Sequence, residues 1–246
     1  MFRSLYQYAT AAWNTLPLVC LERTVIRVND IREVNRIFRW HHDPLLDRSD
    51  IYDFEYIEDV NERRIRDAEC LATVAANVSA RTVLEIGTAS GRATTLLALN
   101  APDASIYTVN ISPEEIASGQ GGKLTTIALE REKIGAEFRR RNLTNITQIY
   151  ANTATWEPDI GMIDIAFIDG CHDADFVFND TVKILRHMRP GGFILWHDFN
   201  PDLVQQYHWI RCVCRGLERL CRKGYIRGRI IHVRDSWTGI YQVPFN

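Results

Sequence analysis

From Glu62 onward the apolar positions Ile65, Ala68, Cys70, Leu71, Val74, Ala75 and Val78 suit one face of a helix ending near Ser79. The pattern then changes period. Short β-branched runs alternate with helical stretches: strand 82–86, helix 91–100, strand 105–110, a helix near 123–140, strands 146–151 and 163–169, helix 176–187, strand 193–196 and helix 203–222. Strands separated by helices need crossover connections, so a parallel sheet covered on both faces is expected. The runs Val83-Leu84-Glu85-Ile86 and Ile165-Ala166-Phe167-Ile168 suit central strands. At the end of the chain, Gly228–Val233 and Trp237–Val243 are too close for a crossover and predict an antiparallel hairpin. The expectation is a doubly wound α/β fold whose mostly parallel, seven-stranded sheet closes on that hairpin.

Residues 1–61 are aromatic and arginine-rich with weak periodicity. They are expected to form a helical or lid-like extension without a sheet of its own, leaving 62–246 as the main domain. A chain of 246 residues, 46% hydrophobic, suits one such domain better than two. A net charge of −2 argues against nucleic acid as a partner. No apolar run reaches the ~18 residues of a membrane-spanning helix. The stretch from Ala9 to Leu21, interrupted by Asn14 and Pro17, lacks a cleavage site and points instead to a contact with a membrane surface or a homodimer partner. Six irregularly placed cysteines fit a reducing, cytoplasmic compartment. Cys212, Cys214 and Cys221 beside His208 suggest zinc, but Cys214 and Cys221 belong to the apolar stripe of the last helix, away from the other two.

In an open α/β sheet, ligands bind beyond the carboxyl ends of the strands. After the first main-domain strand stands Glu85-Ile86-Gly87-Thr88-Ala89-Ser90-Gly91, with glycines four apart that let a ligand approach the backbone and a helix N-terminus. A dinucleotide fingerprint would need glycine at Ala89 and Thr94, so hydride chemistry falls in rank. Farther on come Phe167-Ile168-Asp169-Gly170-Cys171-His172 and Pro190-Gly191-Gly192-Phe193-Ile194-Leu195-Trp196-His197-Asp198. With these segments the chain resembles the class I S-adenosylmethionine-dependent methyltransferases from Thr82 to about Asp202, especially a bacterial group of glycan and natural-product O-methyltransferases.

The resemblance implies a Rossmann-like fold and S-adenosylmethionine as cofactor. It places Gly87, Thr88, Ala89, Ser90 and Gly91 along the methionine end, with Glu85 supporting the turn, Asn110 and Ile111 at the ribose, Asn152 and Thr153 at the adenine, and Asp169 nearby. Asn110 and Asn152 stand where the family usually has acids, so weaker cofactor binding is expected, because charge-assisted hydrogen bonds are roughly twice as strong as neutral ones.

Asp169 and Asp198 close adjacent strands and should be neighbours, with His172 and His197 beside them. Four ionisable groups at one mouth suggest catalysis. By resemblance to catechol-type and macrocin-type enzymes, Asp169 and Asp198 are candidate Mg2+ or Mn2+ ligands, and His172 is a candidate third. His172, Asp198 and, after them, His197 are the candidate catalytic residues; Asp180 is expected on the surface. The expected activity is methylation of a hydroxyl on a sugar, glycan or small biosynthetic intermediate. A non-catalytic scaffold and a metal-dependent hydroxylase are the alternatives. Tyr52, Phe54 and Tyr56 are expected in the core, or covering the site.

Overall fold

The computed structural model describes residues 17–46, 58–124 and 128–245, with backbone alone at 58–62 and 64. Tyr52, Phe54, Tyr56 and most of the apolar stretch before Pro17 lie outside the described residues.

The main-domain elements follow the expected alternation. Helix α3 (Glu58–Asn77) leads into β2 (Thr82–Ile86), α4 (Arg92–Asn100), β3 (Ser105–Asn110), α5 (Pro113–Ala117), α6 (Ala136–Arg140) and β4 (Ile146–Tyr150). Then come β5 (Ile163–Ile168), α7 (Ala174–His187), β6 (Met188–Trp196), α8 (His208–Arg222), β7 (Ile230–Val233) and β8 (Gly239–Gln242). Before α3 lie α1 (Val19–Thr24), β1 (Val25–Val28) and α2 (Ile31–Phe38).

The sheet has eight strands in the order β1-β7-β8-β6-β5-β2-β3-β4, where seven were expected. The eighth is β1, which pairs in parallel with β7 from Val25↔Ile230 to Val28↔Val233. Four residues give too little periodicity to be read from sequence. The pairing is nevertheless anchored from the helix before it, where Leu21 donates its backbone N–H to the buried Glu218 carboxylate on α8 at 2.7 Å. The hairpin is as expected: β8 runs antiparallel to both β6 and β7, between them.

Alternate residues of the central strands feed opposite layers. Val83, Ile165, Phe167, Phe193 and Leu195 pack with α3 and α4 on one face, while Leu84, Ala166, Ile194 and Trp196 pack with α7 and α8 on the other. All of β5 is buried, the signature of a parallel strand covered on both sides. No described helix is long and apolar enough to cross a membrane.

The expected helix near 123–140 is cut down to α6. Gly135 adopts φ +70°, and its N–H bonds to the Ala89 carbonyl at 2.9 Å, while the Glu137 N–H bonds to the Ser90 carbonyl at 3.0 Å. The segment thus packs its backbone onto the glycine turn, and docking outweighs helix propensity there.

Candidate active site

The site lies at the carboxyl edge of β2, β3, β5 and β6. Gly87 follows β2 with φ +100°, and its N–H reaches the Val109 carbonyl at 2.8 Å. A Cβ on Gly87 would collide with the Asp169 carbonyl, so glycine is required both by conformation and by the approach of the two strand ends. Gly91, with φ +87°, opens α4 and abuts Phe138 and Gly135.

Two cavities share Gly87, Ala89 and Asp169 as a common waist. One, of about 110 Å³, is bounded by Asn110, Ile111, Asn152, Thr153 and His172. The other, of about 280 Å³, is bounded by Thr88, Ser90, Arg63, Asp67, Arg92 and His197. Neither alone reaches the ~300 Å³ at which small-molecule pockets usually begin, whereas the two lobes joined exceed it. Seven of the residues expected at a cofactor, from Gly87 and Ala89 through Asn110, Ile111, Asn152 and Thr153 to Asp169, line the first lobe. Thr88 and Ser90 line the second. Glu85 and Gly91 line neither and support the turn from below.

Glu85 is fully buried and accepts hydrogen bonds from the Thr94 and Thr108 hydroxyls. Burial pushes its pKa up to about 8 against those two donors, so it is largely neutral at pH 7. The Asn110 side chain turns toward the glycine loop. Its Oδ1 accepts the Ala89 N–H at 3.1 Å and its amide donates to the Ile111 carbonyl at 2.8 Å. Asn152 Oδ1 accepts the Ala154 N–H at 3.0 Å.

Asp169 extends β5 through its N–H to the Ile86 carbonyl at 2.8 Å, and His197 extends β6 through its N–H to the Ile168 carbonyl at 3.0 Å. Asp198 then adopts φ +52°, a left-handed conformation that aspartate tolerates better than most residues and that re-aims its carboxylate toward β5. The result is an alternating cluster. His172 Nε2 stands 3.0 Å from Asp198 and 3.7 Å from Asp169, and His197 Nδ1 stands 3.0 Å from Asp169 and 3.7 Å from Asp198.

Burial alone would lower the His172 pKa, but Asp169 and Asp198 outweigh it and raise it to about 9. His197 rises for the same reason, and both carboxylates are held below their usual range against the cost of burial. Neither nitrogen of His172 makes a well-aligned hydrogen bond. Ligand atoms of Asp169, His172 and Asp198 lie within 4.8 Å of one another, a donor set suited to a divalent cation.

Residues 84–199 match the family model described as a methyltransferase domain. That stretch, from β2 to just past the end of β6, is similar to a methyltransferase domain. The structure of the chain is similar to that of the O-methyltransferase NovP (14% identity, 75% of this chain and 80% of that one, TM-score 0.55). It is also similar to the SAH-bound Podospora anserina methyltransferase PaMTH1 (17%, 90% and 98%, TM-score 0.54). A third similar structure is the N-methyltransferase NodS from Bradyrhizobium japonicum WM9 (13%, 76% and 99%, TM-score 0.50). No curated protein matches the chain. Because O- and N-methyltransferases share this fold, the acceptor atom has to be argued from the site.

Two buried carboxylates near the cavities carried no readable motif. Asp67, on α3, accepts the Trp237 N–H at 2.6 Å and the Thr238 hydroxyl at 3.0 Å, and its other oxygen faces Arg63 at 3.2 Å and His197 Nε2 at 3.3 Å. His197 is thus held between Asp67 and Asp169 on the wall of the larger lobe. Asp180, expected on the surface, is 1% exposed, and burial raises its pKa to about 7. It sits one helical turn beyond Phe176, which lines the smaller lobe. The zinc grouping does not assemble: Cys212 meets His208 only at 3.8 Å, and Cys214 is buried in the core.

Proposed function

We propose that the protein transfers the methyl group of S-adenosylmethionine to a hydroxyl oxygen of a sugar or small biosynthetic intermediate, assisted by a divalent cation at Asp169, His172 and Asp198. The convergence of those three residues beside the two-lobed cavity carries this reading. The nucleoside is assigned to the lobe of Asn110, Ile111, Asn152 and Thr153. The methionyl end is assigned to the lobe of Arg63, Asp67 and Arg92, with the sulfonium near the Gly87–Asp169 waist. In the transfer the methyl–sulfur bond breaks as the oxygen–carbon bond forms. S-adenosylhomocysteine remains, and the hydroxyl proton leaves to water.

An alcohol is a poor nucleophile at neutral pH, so its proton must be made acidic or removed by a base. A bound Mg2+ or Mn2+ would supply the Lewis acidity that lowers the hydroxyl's pKa. His172, held protonated by two carboxylates, is a poor base near pH 7. The same pair of carboxylates that retains a proton there is suited to retain a cation, and an imidazole in the set favours Mn2+ or another transition ion over Mg2+. Positioning supplies much of the remaining rate, and the short reach from the waist to the cluster serves it.

Calorimetric titration of metal-stripped protein with S-adenosylmethionine and S-adenosylhomocysteine, with and without Mg2+ or Mn2+, tests the reading. Micromolar binding of both nucleosides, lost in Gly87→Arg, together with Mn2+ binding lost in Asp169→Asn, is the expected result. Failure of the folded wild type to bind either nucleoside would overturn it in favour of a non-catalytic role. One observation leans toward that second reading: the Asn110 oxygen is already engaged by Ala89. The hydroxylase alternative fits less well, since the converging set is two carboxylates and one histidine.

A further inference from the structure

Among the described residues a third cavity, of about 550 Å³, exceeds both lobes of the cofactor site and lies outside them, at the carboxyl ends of β1 and β7. It adjoins the candidate metal centre through three links. Asn200, two residues past Asp198, lines it. Arg63 lines both it and the larger cofactor lobe, its guanidinium 3.9 Å above the Trp237 ring. The Trp237 N–H is bonded to Asp67, which also faces His197.

Its chemistry is mixed in a specific way. Tyr207 and Trp237 form an aromatic wall with ring centroids 5.1 Å apart, backed by Trp209 at 5.0 Å from Tyr207. Around that wall stand planar polar groups: Asn29, Asn200, Gln206 and Arg234. Of its three arginines, Arg27 is paired with Asp202 at 2.7 Å and with Glu22 at 3.0 Å and Arg63 with Asp67 at 3.2 Å, which leaves Arg234, among the described residues, as a single uncommitted cation where a phosphate or other strong anion would need several. Asn29 donates to Glu33 at 3.0 Å and Asn200 to the Ser236 carbonyl at 3.2 Å, but a purely apolar acceptor would strip water from Gln206 and Arg234 without replacing it. A pyranose matches both halves, because its C–H face packs on an aromatic ring while its hydroxyls present paired donors and acceptors to amides and guanidinium.

We propose that this cavity is the acceptor subsite and that it takes a saccharide, the sugar lying against Tyr207 and its hydroxyls read by Asn29, Gln206 and Arg234. The inference rests on the methyl-transfer reading for its role, although the binding itself can be measured independently. The acceptor is then a glycoside or oligosaccharide with one unit held here and the hydroxyl to be methylated beyond Arg63, at Asp169, His172 and Asp198.

The full-length protein, with and without saturating S-adenosylhomocysteine, is titrated by saturation-transfer NMR with the methyl glycosides of glucose, mannose, galactose and rhamnose, and separately with inorganic phosphate. The expected result is saturable, millimolar binding of at least one glycoside. That binding should weaken tenfold or more in Gln206→Ala and Arg234→Ala, both surface changes, and in Tyr207→Ala, while the S-adenosylhomocysteine Kd stays within twofold. Absence of glycoside binding, binding indifferent to all three variants, or binding of phosphate alone would overturn the proposal. Loss of nucleoside binding with glycoside binding intact would instead sink the methyl-donor reading and leave the subsite standing.

Discussion

Replacing Glu85 by glutamine should reshape the pH dependence of stability. The carboxyl is fully buried, and its pKa rises from 4.5 to about 8. Between those values the unfolded chain has released the proton and the folded one has kept it. The folded state binds more protons, and stability must fall as pH rises through that window. At ~1.36 kcal/mol per pKa unit, the loss at pH 7 is about 3 kcal/mol relative to acid conditions. Glutamine keeps an oxygen for the Thr94 and Thr108 hydroxyls but puts an NH2 where the Oε1 atom now has no partner, costing ~1–3 kcal/mol at every pH. Wild type should therefore be the more stable protein near pH 5 and lose that lead, or fall behind, by pH 8. The swing corresponds to roughly 6–12 °C in Tm at ~2–4 °C per kcal/mol for a chain of this size. Calorimetric or denaturant melts of both proteins across pH 5 to 8 give the difference directly, with every other titrating group cancelling. Parallel curves would refute the argument and mean that Glu85 is ionised in the fold, with the two hydroxyls sufficient to hold its charge.

Gly87→Ala meets both an unfavourable φ and the Asp169 carbonyl, so it should cost ~1–3 kcal/mol in a chemical melt and weaken S-adenosylhomocysteine binding at least tenfold in calorimetry. Asp198→Asn should abolish Mn2+ binding, read by electron paramagnetic resonance, while leaving nucleoside affinity within about threefold. Asn110→Asp keeps the acceptor for the Ala89 N–H and adds a charge, so nucleoside affinity should rise several-fold, the worth of one charge-assisted bond. Asp67→Asn leaves every motif residue in place but removes a carboxylate from His197. The His197 imidazole pKa followed by NMR should drop, whereas that of His172 should hold.

The parallel strands of the main domain were legible because the central ones are buried on both sides, so that Ile165, Ala166, Phe167 and Ile168 form an unbroken apolar run that a half-exposed strand cannot carry. The hairpin was legible from loop length alone. What escaped had a shared physical cause, namely structure decided by a distant partner. Strand β1 exists because β7 offers an open edge and Glu218 holds the preceding helix, and neither is near Val25 in sequence. The helix expected over 123–140 fails because the backbone at Gly135 and Glu137 bonds to the glycine turn.

The same distinction governs the site. The convergence of residues that follow strands, from Gly87 to Asp169, His172, His197 and Asp198, was legible because the parallel sheet delivers all strand ends to one edge, which makes position along the chain a proxy for position in space. Asp67 sits in a helix, where an acidic residue is ordinarily a solvated one, yet it is bonded to Trp237 and Thr238 of the final hairpin and faces His197. That placement changes what the cluster is. His197 is held protonated by Asp169 and Asp198, and Asp67 braces its other nitrogen from α3, so it lines the larger lobe as a clamped imidazolium while His172 lines the smaller lobe, facing the same two carboxylates. The geometry of the cluster is therefore set jointly by the sheet edge and by α3.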